Sequence, residues 1–203
     1  TTLKAYSAAG IKRIGIDPTG KKFAQYYTDE IKLIPDFFSA AAYRSIESQP
    51  ARIITSIAMF YDLDSPVEFA KQIESVLADN GIWHFEQSYM PSMLRMNSYD
   101  TICHEHLEYY SLGVVKNILE KAGLKIVDVV MNAINGGSFA VTAVKAGNQS
   151  IAQNRAVIDA IVANGGPRYE YIEVAPARAN STGAEPNGNI RNGFLYNPDR
   201  VDY

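Results

Sequence analysis

The stretch ARIITSIAMFYDLDSPVEFAKQIESVLADNGIWHFE, residues 51–86, decides the fold class of this chain. Its first part, residues 51–60, is apolar without regular alternation, which is typical of a strand covered on both faces. A helix is predicted to begin at Pro66 and run to Leu77, because proline is tolerated in the first helical turn. Residues 82–86 predict a second strand. A strand, a helix and a strand in this order predict a parallel pairing of the two strands.

The alternation of strands and helices extends on both sides of this unit. Further strands are predicted at residues 11–16, 31–34, 124–130 and 138–145. Further helices are predicted at residues 2–9 and between Ser111, as its N-cap, and Gly123, as its terminator. The last two strands follow each other without a helix between them. The order predicts an α/β fold with a mostly parallel sheet and an antiparallel edge hairpin.

The composition excludes several classes of protein. Of the 203 residues 47% are hydrophobic and 20% are charged, as in globular domains, and the net charge is -3. An acidic balance argues against nucleic acid or an anionic membrane as the partner. No apolar run approaches the roughly 18 residues of a membrane helix, and the single cysteine, Cys103, cannot form an internal disulfide. A small-molecule partner is expected, and the oligomeric state is left open.

Lysine usage changes partway along the chain. Residues 1–147 contain ten Lys, whereas residues 148–203 contain none and hold eight of the thirteen Asn. This shift predicts an α/β domain over the first range and a separate α+β tail over the second, the alternative being one domain with an appendage. The tail pattern predicts a helix at residues 151–163 and strands at residues 168–174 and 189–196.

Candidate ligand-binding residues lie where the predicted strands end, because open α/β sheets bind ligands at the carboxyl edges of their strands. They are Asp17, Asp36 with Phe37, residues 60–62 and residues 86–89. Asp17 leaves two alternatives open. Its carboxylate can accept hydrogen bonds from both ribose hydroxyls of a nucleoside, or it can stabilise the turn that follows it.

The densest ionisable cluster is CHEH, residues 103–106, which holds two of the three histidines. It leaves three alternatives open: a metal site, a general base, or a polar loop ahead of a helix. No metal is predicted, because a third and a fourth ligand at suitable spacing are missing. A general base would be a histidine with a pKa near neutrality, oriented by Glu105 or Glu86. His84 lies inside an apolar strand and is predicted to be a hydrogen-bonded core residue.

Five strings occur in order along the chain: GIDPTGKKF, SIAMFYDLDSP, WHFEQSYM, YDTICHEHLEYYS and NGGSFAVTA. With them, residues 1–145 resemble the sugar C-methyltransferases, S-adenosylmethionine-dependent enzymes that methylate a ring carbon of a nucleotide-linked keto sugar. The resemblance implies a Rossmann-like methyltransferase sheet, S-adenosylmethionine as cofactor, a nucleotide-linked sugar as substrate and a cytoplasmic location.

The resemblance also implies how the cofactor is held. Asp17 would bind the ribose hydroxyls, and Asp36 with Phe37 would lie near the adenine. Ser56 and Ala58 would line the methionine part. The family has a first strand and a glycine-rich turn before the helix predicted at the start of this chain. Since that turn presents backbone N–H groups to the cofactor, residues 1–203 alone are expected to bind S-adenosylmethionine weakly or not at all.

For the reaction itself, the resemblance implies that His106 is the general base, which removes the proton alpha to the sugar ketone, with Glu105 as its acidic neighbour. The residues implied for the acceptor are Tyr61, Glu86, Tyr99 and Cys103. Cys103 stands where the family is expected to have a tyrosine, and Tyr61 with Asp62 where it is expected to have a histidine. The acceptor is therefore expected to differ from that of characterised members.

The tail carries a second resemblance. The strings GGPRYEYIEVAP and EPNGNIRNGFLYNPDRVDY are similar to an internal piece of the endonuclease/exonuclease/phosphatase family. Asn189 and Arg191 would contact phosphate in an intact relative, with turn and surface roles as the alternative. Two unrelated resemblances suggest a chimeric chain. A metal-dependent nuclease fragment and a non-catalytic binding protein are therefore the alternative functions.

Overall fold

The computed structural model describes residues 2–6, 10–27, 30–148, 170–174 and 192–196. The helices in these ranges are α1 (Ala40–Arg44), α2 (Pro66–Val76), α3 (Met90–Met96) and α4 (Leu112–Lys121). The strands are β1 (Arg13–Ile16), β2 (Ile31–Ile34), β3 (Ala51–Ile57), β4 (Leu77–Ser88), β5 (Leu124–Asn132), β6 (Ser138–Lys145), β7 (Glu170–Val174) and β8 (Asn192–Tyr196). Single turns of 3₁₀-helix span Thr2–Ala5, Ala24–Tyr26, Phe60–Asp62, Tyr99–Thr101 and Ile134–Gly136.

The strands form parallel pairs followed by an antiparallel hairpin, which confirms the predicted α/β class. β1 is parallel to β2, and β3 is parallel to β4. β6 is antiparallel to both β4 and β5, so the second sheet has the order β3-β4-β6-β5. β7 and β8 form a separate antiparallel pair. The carboxyl ends of the parallel strands therefore provide the edges at which ligand-binding residues are expected.

Some element boundaries differ from the predicted ones. β4 begins at Leu77, directly after α2, and not at residue 82. Gly81 lies inside it, where an added Cβ would collide with the backbone oxygen of Ala51. Ser111 occupies the N-cap of α4, but its side chain makes no capping hydrogen bond, so the predicted cap is wrong in that respect.

At the two ends of the chain, the described part of the predicted first helix is only the 3₁₀ turn Thr2–Ala5. β7 and β8 confirm the two strands predicted in the tail. The predicted tail helix at residues 151–163 and the residues Asn189 and Arg191 lie outside the described residues. The division of the chain near residue 147 stays a prediction.

The core lies between the four-stranded sheet and the helices α2 and α4. Trp83 and Phe85 alternate with polar residues along β4 and are fully buried on this face. The ring centroid of Phe60, which follows β3, lies 5.5 Å from that of Trp83 and 5.2 Å from that of Phe85. Aromatic packing thus fixes the carboxyl end of β3 against β4. Tyr61 directly follows Phe60 in the chain.

The opposite face of the sheet carries a polar row across three strands. His84 on β4 pairs with Thr142 on β6, which pairs with Asp128 on β5. The Nδ1 atom of His84 lies 3.0 Å from Oγ1 of Thr142, which confirms the predicted hydrogen-bonded histidine. Burial lowers the pKa of His84 and raises the pKa of Asp128 to about 6.

The Asp128 carboxyl makes folding stability depend on pH. Its pKa of about 6 in the folded chain exceeds the ordinary 3.8, so folding favours the protonated acid. The contribution of Asp128 to stability is therefore fully present below its pKa in the unfolded chain. It is lost as the pH rises through its pKa in the folded chain. Asp128→Asn removes the ionisable group and with it this loss of stability. The variant should therefore gain free energy of unfolding relative to the unsubstituted protein, and the gain should be larger at about pH 7 than at about pH 4 by about 2 kcal/mol.

Urea unfolding of both proteins across this pH range measures the difference. His84 contributes with the opposite sign, because burial lowers its pKa. Its contribution is common to both proteins and largely cancels in the comparison. A pH-independent difference would show that the Asp128 carboxyl is not responsible.

Candidate active site

The segment between α3 and α4 carries the CHEH cluster. Asn97 ends α3 in the left-handed conformation, with φ 53°, a backbone region that asparagine tolerates well. The 3₁₀ turn Tyr99–Thr101 follows, and the backbone N–H of Glu108 donates to the carbonyl oxygen of Tyr61 at 3.0 Å. The segment is therefore tied to the carboxyl end of β3, where the sequence predicted a ligand site.

The imidazole of His106 is held by a backbone carbonyl. Its Nδ1 lies 2.7 Å from the carbonyl oxygen of Thr101, a residue that is only 8% exposed. A carbonyl oxygen can only accept, so Nδ1 must carry the proton. In the neutral ring Nε2 then has the free lone pair, which is the tautomer that a general base acting through Nε2 requires.

Aromatic rings surround the same imidazole. The ring centroid of Tyr61 lies 4.3 Å from that of His106, and that of Tyr109 lies 6.4 Å away. Tyr61 is buried, which raises the pKa of its hydroxyl, and the nearby Asp62 and Cys103 raise it further. The Tyr61 hydroxyl therefore stays protonated at neutral pH and is able to donate a hydrogen bond.

The carboxylates near His106 are Glu105 and Asp62. The carboxylate oxygens of Glu105 lie 3.9 Å from Nε2 of His104 and 4.0 Å from Sγ of Cys103. The contact that orients the His106 ring is therefore the Thr101 carbonyl, whereas the sequence predicts that a carboxylate, Glu105 or Glu86, orients it. Burial raises the pKa of Asp62, and Glu105 adds to the rise while His106 opposes it. Both charges thus act on the Asp62 carboxyl.

Asp17 and Asp36 lie at the carboxyl edge of the first sheet. The backbone N–H of Asp17 donates to the carbonyl oxygen of Ile34 at 3.0 Å, which joins the ends of β1 and β2. Oδ1 of Asp17 accepts from the backbone N–H and the hydroxyl of Thr19, both at 2.8 Å, so the turn interpretation is confirmed. Oδ2 has only a long 3.4 Å contact from the Tyr27 hydroxyl. One carboxylate oxygen thus remains weakly engaged.

Asp36 and Phe37 follow β2 at this edge. Oδ1 of Asp36 accepts from the backbone N–H of Phe37 at 2.7 Å, and the Phe37 side chain is 75% exposed. An exposed aromatic face beside a carboxylate suits a planar heterocycle. The residue types at the ends of β1 and β2 therefore fit an adenosine group.

The remaining predicted site residues are spread out. Ser56 is buried and accepts a hydrogen bond from Nε1 of Trp83 at 3.1 Å, so it lies on the core face of β3. Ala58 is exposed at the end of β3 with φ 51°, and its N–H donates to the carbonyl oxygen of Glu86 at 2.8 Å. Tyr99 is 75% exposed. The structure thus brings together His106, Tyr61, Cys103 and Glu105, but gives Ser56 a partner in the core.

Neither a metal site nor a membrane-spanning helix is found among the described residues. They contain no group of three or more His, Cys, Asp or Glu side chains that could hold a metal ion. Their helices are all too short or too polar to cross a membrane. Sequence reasoning missed Thr101, because it acts through its backbone carbonyl, which no side-chain pattern reveals.

Known proteins match the front of the chain. The C-methyltransferase NovU of Streptomyces niveus is 31% identical over 147 residues, which span 71% of this chain and 35% of that protein. A pericyclic reaction enzyme has a similar structure, with a TM-score of 0.55 and 12% identity over 71% of this chain and 39% of that one. A methyltransferase in complex with the Trm112 methyltransferase activator of Haloferax volcanii has a TM-score of 0.53 and 14% identity, over 70% of this chain and 76% of that one.

These solved structures share the fold of the front of the chain. A third, LepI in complex with SAM, has a TM-score of 0.54 at 13% identity and covers 71% of this chain and 39% of that one. The family profile of the methyltransferase domain matches residues 2–129, more than half of the chain. The chain therefore belongs to the methyltransferase domain family.

Proposed function

We propose that the protein transfers a methyl group from S-adenosylmethionine to a carbon alpha to a ketone, on a nucleotide-linked sugar, with His106 as the general base. The observation that carries this proposal is the 2.7 Å contact between Nδ1 of His106 and the Thr101 carbonyl. It leaves Nε2 unprotonated in the neutral ring, ready to accept a proton. The 31% identity to a C-methyltransferase supports carbon as the methylated atom.

The acid–base step follows from the tautomer. Nε2 of His106 removes the proton alpha to the ketone, and the acceptor becomes an enolate with a nucleophilic carbon. The imidazolium that forms keeps its hydrogen bond to the Thr101 carbonyl. When bound, S-adenosylmethionine supplies an electrophilic methyl group.

The enolate oxygen requires hydrogen-bond donors, because stabilising the developing charge is usually the largest catalytic contribution. Tyr61 meets this requirement, since its raised pKa keeps the hydroxyl protonated and its ring already contacts His106. We assign the remaining acceptor contacts to Cys103, Tyr99 and Glu86, and to Glu105 the support of the base. Cys103 replaces a larger side chain expected in the family, which leaves more room for the acceptor.

The cofactor would lie along the carboxyl edges of β1, β2 and β3. Oδ2 of Asp17 would accept from the ribose hydroxyls, and Asp36 with Phe37 would hold the adenine. Ala58 is exposed at the end of β3 and would line the methionine part. Ser56 would contribute indirectly, since its hydroxyl already bonds Trp83.

Asp17→Asn tests this arrangement. The amide oxygen can still accept from Thr19, so the turn is kept, while the second position changes from an acceptor to a donor. Because residues 1–203 alone are expected to bind the cofactor weakly, calorimetry is done with S-adenosylhomocysteine in large excess. The affinity of the variant should be lower than that of the unsubstituted protein by about tenfold, which corresponds to one charged hydrogen bond. The control is Glu68→Gln, which removes an exposed charge on α2. Equal affinity of the Asp17 variant and the unsubstituted protein would show that Asp17 does not bind the cofactor.

No contact among the described residues favours the alternatives. A metal-dependent phosphodiesterase needs a cluster of carboxylates and imidazoles, and the two residues named for it, Asn189 and Arg191, lie outside the described ranges. A non-catalytic binding protein is not favoured, because residues 2–129 match the methyltransferase domain. A nucleotide-linked sugar acceptor also favours the cytoplasm as the location.

A further inference from the structure

The turn between β5 and β6 packs against the segment that carries His106. Gly136 ends the 3₁₀ turn Ile134–Gly136 with φ 77°, and a Cβ added to it would overlap Oγ of Ser98. The next residue, Gly137, has φ 127°, and a Cβ added there would overlap the side chain of Ser92 on α3. Both glycines therefore approach these serines more closely than a residue with a Cβ could unless the serine side chain moved, and both have a positive φ that favours glycine.

The contact continues from Ser98 to the imidazole. The hydroxyl of Thr101 donates to the carbonyl oxygen of Ser98 at 2.7 Å, and the carbonyl oxygen of Thr101 accepts from Nδ1 of His106 at 2.7 Å. Ser98 is fixed from the other side, because its N–H donates to the carbonyl oxygen of Met93 at 3.0 Å. A chain of direct contacts thus links Gly136 to the His106 ring.

The turn itself is anchored to the sheet. The N–H of Tyr89, directly after β4, donates to the carbonyl oxygen of Gly137 at 3.0 Å. The hydroxyl of Ser138, the first residue of β6, donates to the carbonyl oxygen of Ile134 at 2.9 Å. The turn is therefore a rigid support, whereas much of the segment from Asn97 to Ser111 lies outside regular helix and strand.

We propose that this turn positions the imidazole: Gly136 seats Ser98, and Ser98 holds the Thr101 carbonyl against Nδ1 of His106. Gly136, Ser98 and Thr101 are positioning residues and do not touch the acceptor. The proposal rests on the proposed role of His106 as the base, but its main readout, the tautomer of the ring, does not depend on activity.

Gly136→Ala is the test variant. Its methyl group forces the Ser98 hydroxyl to rotate and the Ser98 Cβ, 3.3 Å from the added atom, to give way. We expect this shift of Ser98 to loosen the hydrogen bond to Nδ1, so that the ring populates both tautomers. We expect kcat for methyl transfer to fall by about 10- to 100-fold with KM little changed, because a misplaced base affects the chemical step. Thr101→Val removes the hydroxyl that bonds Ser98 with little change of shape, and it should lower kcat in the same way.

Gly123→Ala is the matched control. Gly123 also has φ 77°, but its added Cβ would meet nothing closer than Cγ of Glu74 at 3.9 Å. The two variants share the backbone cost and differ in the collision with Ser98. The double variant Gly136→Ala/Ser98→Gly relieves the collision and should restore both the tautomer and most of kcat.

Nitrogen-15 NMR of the three histidine side chains reads the tautomer directly. His104, whose side chain is 90% exposed and has only a long 3.9 Å contact with Glu105, provides the solvent-exposed reference in the same spectrum. We expect Nδ1–H for His106 in the unsubstituted protein and in Gly123→Ala, and a mixture in Gly136→Ala and Thr101→Val. Retention of Nδ1–H in both latter variants, or the same change in Gly123→Ala, overturns the proposal. Since Thr101→Val adds no volume, it decides the matter if Gly136→Ala does not fold. Full activity of His106→Gln would refute the function without altering the tautomer result.

Discussion

Replacing His106 by glutamine is expected to lower the rate of the proposed methyl transfer to a nucleotide-linked keto sugar by about 10²- to 10⁴-fold. Glutamine keeps a polar side chain of similar reach but has no group that can take a proton at neutral pH. Binding of the cofactor should be unchanged, because the predicted cofactor residues lie at the ends of β1, β2 and β3. The measurement is single-turnover transfer of an isotope-labelled methyl group.

His104→Gln is the matched control for this experiment. The residue lies two positions earlier in the same segment, and its side chain is 90% exposed. Its rate should stay within about twofold of that of the unsubstituted protein, because surface substitutions away from bound groups rarely matter. An equal loss of rate in both variants would indicate that any substitution in this segment impairs the protein. It would contradict a specific role of His106.

The second large effect is on stability. Phe60→Ala should lower the free energy of unfolding by about 3 to 5 kcal/mol. The side chain is 1% exposed, and its ring packs against those of Trp83, Phe85 and Tyr110 at centroid distances of 5.5, 5.2 and 5.6 Å. Truncation removes this packing and leaves a cavity that rigid aromatic neighbours cannot fill.

Urea unfolding measures this loss as a lower midpoint with an unchanged slope. Phe37→Ala is the control, because Phe37 is 75% exposed and should change stability by less than about 0.5 kcal/mol. A loss of under about 1 kcal/mol for Phe60→Ala would show that the aromatic cluster is not the core of this domain.

The central strand and helix could be predicted from sequence because their signals are local. Residues 51–60 are apolar enough to predict β3, and Pro66 predicts the start of α2. The start of β4 at Leu77 could not be predicted, since it depends on pairing with Ala51 across the sheet. Ser111 has the sequence signature of a helix cap but makes no such bond, because the signature fixes the residue type and not its geometry.

In the candidate site, too, some features could be predicted from the sequence and others could not. The CHEH segment could be selected as a candidate site from its ionisable residues alone. The role of Thr101 in orienting His106 could not be predicted, because a backbone carbonyl has no sequence signature. The family resemblance implies that Ser56 lines the methionine part of the cofactor, whereas the alternation of β3 directs its side chain to Trp83. Side-chain direction at a strand end is thus the least predictable feature of this site.

The proposed function requires removal of a proton from the carbon next to a ketone. The most direct measurement is solvent deuterium exchange into that carbon of a nucleotide-linked keto sugar, followed by NMR in the presence of S-adenosylhomocysteine, which blocks methyl transfer. We expect the unsubstituted protein and His104→Gln to catalyse the exchange and His106→Gln not to catalyse it. Exchange at an equal rate in His106→Gln would contradict the proposed function.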